Sequence, residues 1–365
     1  MKVLFACGGT AGHINPALSI ADILKRRNPA LSVIFVGTPN GMENRLVARA
    51  GYPIRHVPIL GLKRSLSPAN LRAGVTLVRS FRVAKTILDE EAPALVIGTG
   101  GYVCYPLLRV AVDRGIPTVL HESNARAGIA AKLLARRTDL ALIHFPSAAK
   151  DFRKAGKTVV SGNPIRREFK TLDRRAARRR LGLSDRTLYL VVFGGSLGAK
   201  KLNETVEETV PRLLLNYPEL KILHATGEKQ ACGEQVRRSR YERRGYIDDM
   251  PLHLTAADVV VCRAGAMTLS EIAAAGVPSI LIPYPKATGD HQTKNAQVLS
   301  NVGAAVLLPD AILTPETLYD NLSDLLSNGE KRERIRVAVS GFKTPDCESV
   351  ILSEILTLCP SLGDG

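Results

Sequence analysis

Short aliphatic and β-branched runs alternate with amphipathic stretches of helix length along this chain, and the series starts over near its midpoint. In the first half the strand-like runs are Val3–Cys7, Ser32–Val36, Ile54–Ile59, Ala94–Ile97, Pro117–Leu120 and Leu140–Phe145. Helices are expected around 16–27, 42–50, 70–89, 105–114, 127–136 and 147–154. The second half begins with Leu188–Phe193 and continues through Lys221–Ala225, Arg244–Ile247, Asp258–Cys262, Ser279–Pro283 and Ala304–Leu308, with helices between and two or three after. Strands that succeed one another through a helix run parallel, so the chain is an α/β protein. Its 365 residues suit two domains at ~150 residues each.

Both halves open with the same turn. The first strand runs into Gly8-Gly9-Thr10-Ala11-Gly12 and the restart strand into Gly194-Gly195-Ser196-Leu197-Gly198, each following G-G-[ST]-x-G. Glycines there let the backbone turn with positive φ and approach a ligand closely, and the next helix offers unpaired N–H groups to an anion. Asn15-Pro16 fits a helix cap and first helical residue. The expectation is two Rossmann-like parallel-sheet domains facing a cleft. Neither turn is G-x-G-x-x-G, which argues against a nicotinamide cofactor. Between the halves, residues 166–180 hold eight Lys/Arg and two acids, an inter-domain crossing followed by a helix whose arginines are expected mostly to face solvent.

Fifty Lys+Arg against 34 Asp+Glu give a formal charge of +16, which calls for an anionic partner. Aromatics are only 5% and tryptophan is absent, so the basic runs lack stacking residues and nucleic acid is not the expected partner. Phosphorylated ligands or an anionic membrane surface remain. The apolar stretch after Lys2 is too short for a signal peptide, and no apolar run approaches the ~20 residues of a membrane-spanning helix. Six cysteines form no CxxC pair and no zinc spacing, as expected of small hydrophobes in a reducing cytoplasm.

Two further segments carry chemistry. Residues 258–276 read DVVVCRAGAMTLSEIAAAG: a buried strand, a tight turn at Arg263-Ala264-Gly265, and a helix carrying Thr268, Ser270 and Glu271. Small residues and hydroxyls at such a helix start suit a pyrophosphate, and Glu271 could take both hydroxyls of a ribose or be an acid favoured by the helix dipole. Farther on, Asp290 is a plausible cap for a helix whose first turn carries His291, Gln292 and Asn295, and amides suit sugar hydroxyls.

GGTAGHINPAL, GTGGYVCYP, HESNARAG, SGNPIRREF, FGGSLGAKKLN, YIDDM, CRAGAMTLSEIAAAGVPSILIPYP and GDHQTKNA, in this order and spacing, resemble the motif set of the MurG family. These are the peptidoglycan N-acetylglucosaminyltransferases that convert lipid I to lipid II, and the resemblance covers nearly the whole chain. It implies the GT-B glycosyltransferase fold: an acceptor domain over 1–162, a UDP-sugar domain over 163–343, and a helix over 344–365 returning to the first. It implies UDP-N-acetylglucosamine as donor, lipid I as acceptor, no cofactor, and a peripheral place on the cytoplasmic face of the cell membrane. By matching motif, Thr10, Ala11 and Gly12 would lie against the donor's sugar-phosphate, joined by Asn124, Arg166 and Ser196. Ile247 would meet the uracil, Ala266, Met267, Thr268, Leu269, Ser270 and Glu271 the diphosphate and ribose, and Gln292 the sugar hydroxyls. Ala11 stands where the family often has glycine.

Inverting transfer needs a stabilised leaving group and a base for the attacking hydroxyl. The chain has no D-x-D triplet, the usual metal–diphosphate anchor, so helix N-termini and arginine are expected to hold the departing UDP. His13, just past the first glycine turn, is the first candidate base and Glu122 the second; His13 could equally order the loop or touch phosphate. On the helix expected at 70–89, Leu77, Phe81, Ala84 and Leu88 form the inward stripe. The opposite side mixes Leu71, Val75 and Val78 with Arg72, Arg79, Arg82 and Lys85, the make-up of a helix lying on anionic lipid or of an ordinary solvated face. The alternatives are a sugar transferase to another lipid acceptor and a non-catalytic nucleotide-sugar binder; the GTGGYV and HESN loops argue against a mere binder.

Overall fold

The structure is a computed structural model describing the chain except residues 61–67, 196–197, 228–236, 239, 343–345 and 364–365, and except the side chains of 68–72, 237, 238 and 288. It forms two compact units: Met1–Pro164 with Thr344–Gly365, and Ile165–Lys343.

The first unit is built on strands β1 (Lys2–Cys7), β2 (Ser32–Gly37), β3 (Ile54–His56), β4 (Leu95–Gly100), β5 (Thr118–Glu122), β6 (Leu140–Ile143) and β7 (Lys157–Val160). They lie in the order β3-β2-β1-β4-β5-β6-β7, every pair parallel. Alternate residues of a strand point to opposite faces, and both faces here are covered. Leu4, Ile34, Val96, Leu120 and Ala141 pack with Ala84, Leu88, Leu107 and Leu108 on one side. On the other, Phe5, Phe35, Ile97 and Leu142 pack with Ile14, Ile20 and Leu24 of the helix Ala11–Arg27. Ile351 and Ile355 of the helix Cys347–Leu358 share that second core.

The second unit repeats the plan. Strands β8 (Leu188–Phe193), β9 (Leu220–Ala225), β10 (Arg237–Arg238), β11 (Tyr241–Arg244), β12 (Val259–Cys262), β13 (Ser279–Leu281) and β14 (Val306–Leu307) are ordered β10-β11-β9-β8-β12-β13-β14. Only the short β10 runs antiparallel to its neighbour. In each sheet the order reverses between the first strand and the fourth long one: β1 beside β4, β8 beside β12. Ligands of doubly wound sheets bind outside the carboxyl ends of the strands at such a reversal.

Several expectations need correction. The first helix begins at Ala11, with Thr10 extended at its cap, so Asn15-Pro16 does not start it. Pro16 is its sixth residue, and the missing N–H leaves the Gly12 carbonyl without the usual helical donor. The run expected at Arg244–Ile247 is a strand only over Tyr241–Arg244, and β7 and β10 were not expected at all. The basic helix Arg174–Arg180 is not wholly a solvated face. Arg178 is buried and donates to Ala256 O (3.1 Å), Ser184 O (2.8 Å), Thr187 O (2.6 Å) and Asp258 Oδ2 (3.0 Å). Asp258 also accepts from Arg174 Nη2 and from Tyr189 N of β8, so one carboxylate ties this helix to the sheet.

Candidate active site

In the first unit the site gathers at the ends of β1, β4 and β5. Gly9 turns with φ 86° and hands the chain to the helix at Ala11. Gly100 and Gly101, at the end of β4, have φ of 121° and 91°. A Cβ on Gly100 would lie 2.4 Å from the His13 ring, and one on Gly101 2.4 Å from the Gly8 carbonyl oxygen. Gly100 and Gly101 of GTGGYV are therefore the floor on which the first turn and His13 rest, and any side chain there would dislodge them.

His13 is half-buried, with Nδ1 3.1 Å from Gly8 O and 3.4 Å from Thr10 Oγ1. A carbonyl can only accept, so Nδ1 carries the proton in the bond to Gly8 and the neutral ring has its lone pair on Nε2. Burial lowers the His13 pKa, partly offset by the Gly8 carbonyl. The ring is thus neutral near pH 7, and its carbonyl O is held by Thr99 Oγ1 at 2.6 Å. Thr10 and Gly12 are exposed beside it and Ala11 is partly so.

Glu122, at the end of β5, is buried, and its Oε1 accepts from the backbone N (2.9 Å) and side-chain Nδ2 (2.8 Å) of Asn124. That arrangement orients Asn124. Of the two candidate bases, His13 is the partly exposed one, while Glu122 is buried and accepts from Asn124.

In the second unit the glycine turn after β8 folds so closely that a Cβ on Gly194 would lie 2.5 Å from that of Ala199, and Gly195 has φ 95°. Ser196 lies outside the described residues. Beyond β12, Gly265 caps the helix Ala266–Ala275. The first helical bond runs from Leu269 N to Gly265 O at 3.0 Å, so the N–H groups of Ala266, Met267 and Thr268 have no acceptor within the helix, the kind of donor set that suits an anion. Within this block the side chains divide. Met267 and Thr268 are half-buried, Leu269 is a core residue, and Ser270 is buried with its hydroxyl turned back to Ala266 O at 3.1 Å. The Ser270 hydroxyl thus bonds back within its own helix, as serines inside helices often do.

Glu271 stands at the centre of a small cluster. Arg166 Nη2 lies 3.3 Å from Glu271 Oε1, and its Nη1 donates to Asp248 O at 3.2 Å. Three distant motifs, GNPIR, YIDDM and SEIAAAG, thereby meet. Burial raises the Glu271 pKa and Arg166 opposes the rise. Ile247 is a buried residue, 1% exposed. Gln292 is half-buried and its Oε1 accepts from Tyr284 N at 2.9 Å, which leaves the amide nitrogen as the group it can offer a hydroxyl. Asn295, expected at the same surface, is wholly buried with Nδ2 3.4 Å from Ala264 O. Asp290 holds the cap position in a left-handed conformation (φ 54°) and accepts from Thr293 Oγ1 rather than from backbone.

Two groups escaped sequence reasoning. Glu43 is fully buried beneath the first glycine turn, and Asp248 supplies the carbonyl that aims Arg166. The first had a signal, G-T-P-N-G-M-E after β2, that read as an ordinary turn and helix start.

Two doubly wound units, each with a glycine turn and a helix N-terminus at its strand-order reversal, are the architecture of the GT-B sugar transferases. The glycosyltransferase family 28 N-terminal domain matches residues 3–143, and the glycosyltransferase family 28 C-terminal domain matches residues 189–348. A UDP-N-acetylglucosamine–N-acetylmuramyl-(pentapeptide) pyrophosphoryl-undecaprenol N-acetylglucosamine transferase of Acetivibrio thermocellus is 43% identical, covering 91% of each chain. A relative of the same name from Desulforudis audaxviator is 38% identical over 97% of this chain and 98% of its own. The crystal structure of Acinetobacter baumannii MurG superposes with a TM-score of 0.77 at 29% identity, covering 98% of this chain and 99% of that one. The chain belongs to glycosyltransferase family 28, and within it to the MurG family of N-acetylglucosaminyltransferases.

Proposed function

We propose that this protein transfers N-acetylglucosamine from UDP-N-acetylglucosamine to the 4-hydroxyl of the N-acetylmuramoyl sugar of lipid I, forming lipid II. The observation that carries this reading is family membership through both units: the family's domains match residues 3–143 and 189–348, and the likeness to a named transferase runs along 91% of the chain. In this reading His13 Nε2 takes the proton of the 4-hydroxyl as its oxygen attacks C1 of the donor sugar. The C1–O bond to the diphosphate breaks on the opposite face, its electron pair leaves with UDP, and the configuration inverts. The N–H groups of Ala266, Met267 and Thr268 meet the growing charge on the diphosphate, an electrostatic contribution of ~3–4 kcal/mol for a well-placed donor. Glu271, steadied by Arg166, accepts from the ribose hydroxyls; Ile247 borders the uracil; Gln292 reaches the sugar. Thr10, Ala11, Gly12, Asn124 and Ser196 complete the donor's sugar-phosphate surroundings.

We also propose that the enzyme works as a peripheral protein on the anionic cytoplasmic face of the cell membrane. No helix among the described residues is long and apolar enough to cross a membrane. The helix Pro68–Glu91 instead exposes Val75 (68%) and Val78 (57%) beside exposed Arg79, Arg82 and Lys85, with Ala84 and Leu88 buried beneath. The side chains of Leu71 and Arg72 lie outside the described residues. The test of function is incubation with radiolabelled UDP-N-acetylglucosamine and a short-chain lipid I analogue, with and without EDTA. Label in a lipid II analogue is the expected result, and labelled free sugar alone would overturn the reading.

A further inference from the structure

Glu43 opens the short helix Glu43–Arg49, where an acid would normally face solvent beside the helix dipole. Here it is 0% exposed. Its Oε1 accepts from Thr38 N (2.7 Å) and Thr38 Oγ1 (2.6 Å), and its Oε2 accepts from Gly9 N (3.2 Å), 34 residues earlier. Room for the carboxylate exists because three segments are glycine where they meet it. A Cβ would lie 2.1 Å from Oε1 at Gly41, 2.6 Å from Cγ at Gly37 and 2.8 Å from Oε1 at Gly8. Burying a carboxylate is costly unless hydrogen bonds compensate. Burial alone would raise its pKa, but the bonds from Thr38 and Gly9 outweigh that and hold it below the usual carboxylate range, so it is ionised.

The Gly8-Gly9 turn is thus gripped from two sides, by Glu43 at Gly9 N and by the close backbone of Gly101 at Gly8 O. Gly8 O is the acceptor that keeps the proton on His13 Nδ1. We propose that Glu43 is a positioning residue: its carboxylate fixes the first glycine turn so that Gly8 O selects the His13 tautomer with a bare Nε2. The inference deepens the reading of His13 as base and rests on it only for its kinetic consequence. The other titratable groups packed about this turn are Cys7, Cys104 and Glu122. Burial, with contributions from neighbouring charges, raises Cys7 well above its usual value and Cys104 to about 12, so both thiols stay protonated across the neutral range.

The test is nitrogen-15 NMR of histidine-labelled full-length protein, read at pH 7.5 for the tautomer of His13. The native chain is expected to show the proton on Nδ1. In Glu43→Gln one carboxamide face presents N–H₂ to a donor, the grip on Gly9 or Thr38 is lost, and His13 is expected to become a mixture of tautomers. Removing a nearby negative charge alone would shift the ring's pKa but would not exchange its tautomer. Thr38→Val keeps the charge and loses only the hydroxyl bond, so a smaller shift of the same kind is expected, and it serves if Glu43→Gln fails to fold. The kcat should fall about 10–100-fold in Glu43→Gln, as when a group that fixes an imidazole is removed, with KM for UDP-N-acetylglucosamine within twofold. Full retention of the Nδ1–H form in either folded variant overturns the proposal. A tautomer change with kcat intact instead removes His13 as base and leaves the positioning role standing.

Discussion

Replacing Glu271 by Gln should weaken UDP binding while leaving the free protein as stable as before, or more so. The carboxylate is 18% exposed on its side chain and reaches one cation, Arg166, which is itself 40% exposed and able to rehydrate. Burial has raised the Glu271 pKa. A carboxyl whose folded pKa lies above its unfolded value stabilises the fold less as pH rises through that folded pKa. At pH 7.5 the substitution removes this liability, and below both pKa values the stability difference should vanish. Binding moves the other way. A carboxylate accepting from two ribose hydroxyls makes charge-assisted bonds of about 1.5–3 kcal/mol each, and glutamine can replace only one, without the charge. The loss corresponds to roughly 10–150-fold in Kd. UDP affinity by titration calorimetry, beside a thermal melt of the free variant, checks both halves. A Kd within threefold of the native value, or a melt several degrees lower with Kd unchanged, would refute the ribose role and make Glu271 a structural partner of Arg166.

Gln292→Ala should leave the Kd of UDP unchanged and weaken only UDP-N-acetylglucosamine; equal damage to both ligands would move the residue off the sugar. His13→Ala should lower kcat by ~10²–10⁴-fold with donor affinity retained. The native rate should fall as pH drops through the His13 pKa, which burial sets below 6.5, and that limb should be missing in the variant. Asp258→Ala strands the buried Arg178 guanidinium, so a loss of about 3–5 kcal/mol is expected; circular dichroism melts reporting less than 1 kcal/mol would show that its carbonyl partners suffice. Val75→Glu with Val78→Glu should cut co-sedimentation with anionic vesicles but spare activity on a water-soluble acceptor. Native binding in that double variant would make the helix an ordinary solvated face.

The long strands were legible because each is a nearly continuous apolar run, as strands covered on both faces must be. β7 and β10 were not, since Lys157–Val160 and Arg237–Arg238 are short edge segments whose pairing comes from a neighbour rather than from their own pattern. The site was legible as motifs, which name residues but not directions. Ser270 and Ile247 are buried, a matter of helical phase and of the chain's path that a motif does not carry. Glu43 was illegible for a related reason: an acid at a helix start has a local explanation, and only the folded chain brings Gly9 against it.

The helix Cys347–Leu358 has consequences for how the molecule is made. Ile351, Ile355, Cys359 and Leu362 fill the same core as Phe5 and Ile20, and Asn28 Nδ2 donates to Leu362 O at 3.2 Å. Salt bridges from Arg26 to Glu348 and from Lys157 to Glu354 fasten its flanks. During synthesis the first unit therefore emerges with the part of that core that Ile351, Ile355, Cys359 and Leu362 fill still wet, and it stays so while the ribosome completes the second. At ~5–20 residues per second, roughly 200 residues separate Pro164 from the segment that closes that face, a delay of about 10–40 s. The order of birth is thus reversed at the finish: the unit translated first is the last to be sealed. A chaperone that holds the bare surface of the helix Ala11–Arg27 during this interval would bind nascent chains and release them once residue 362 is free.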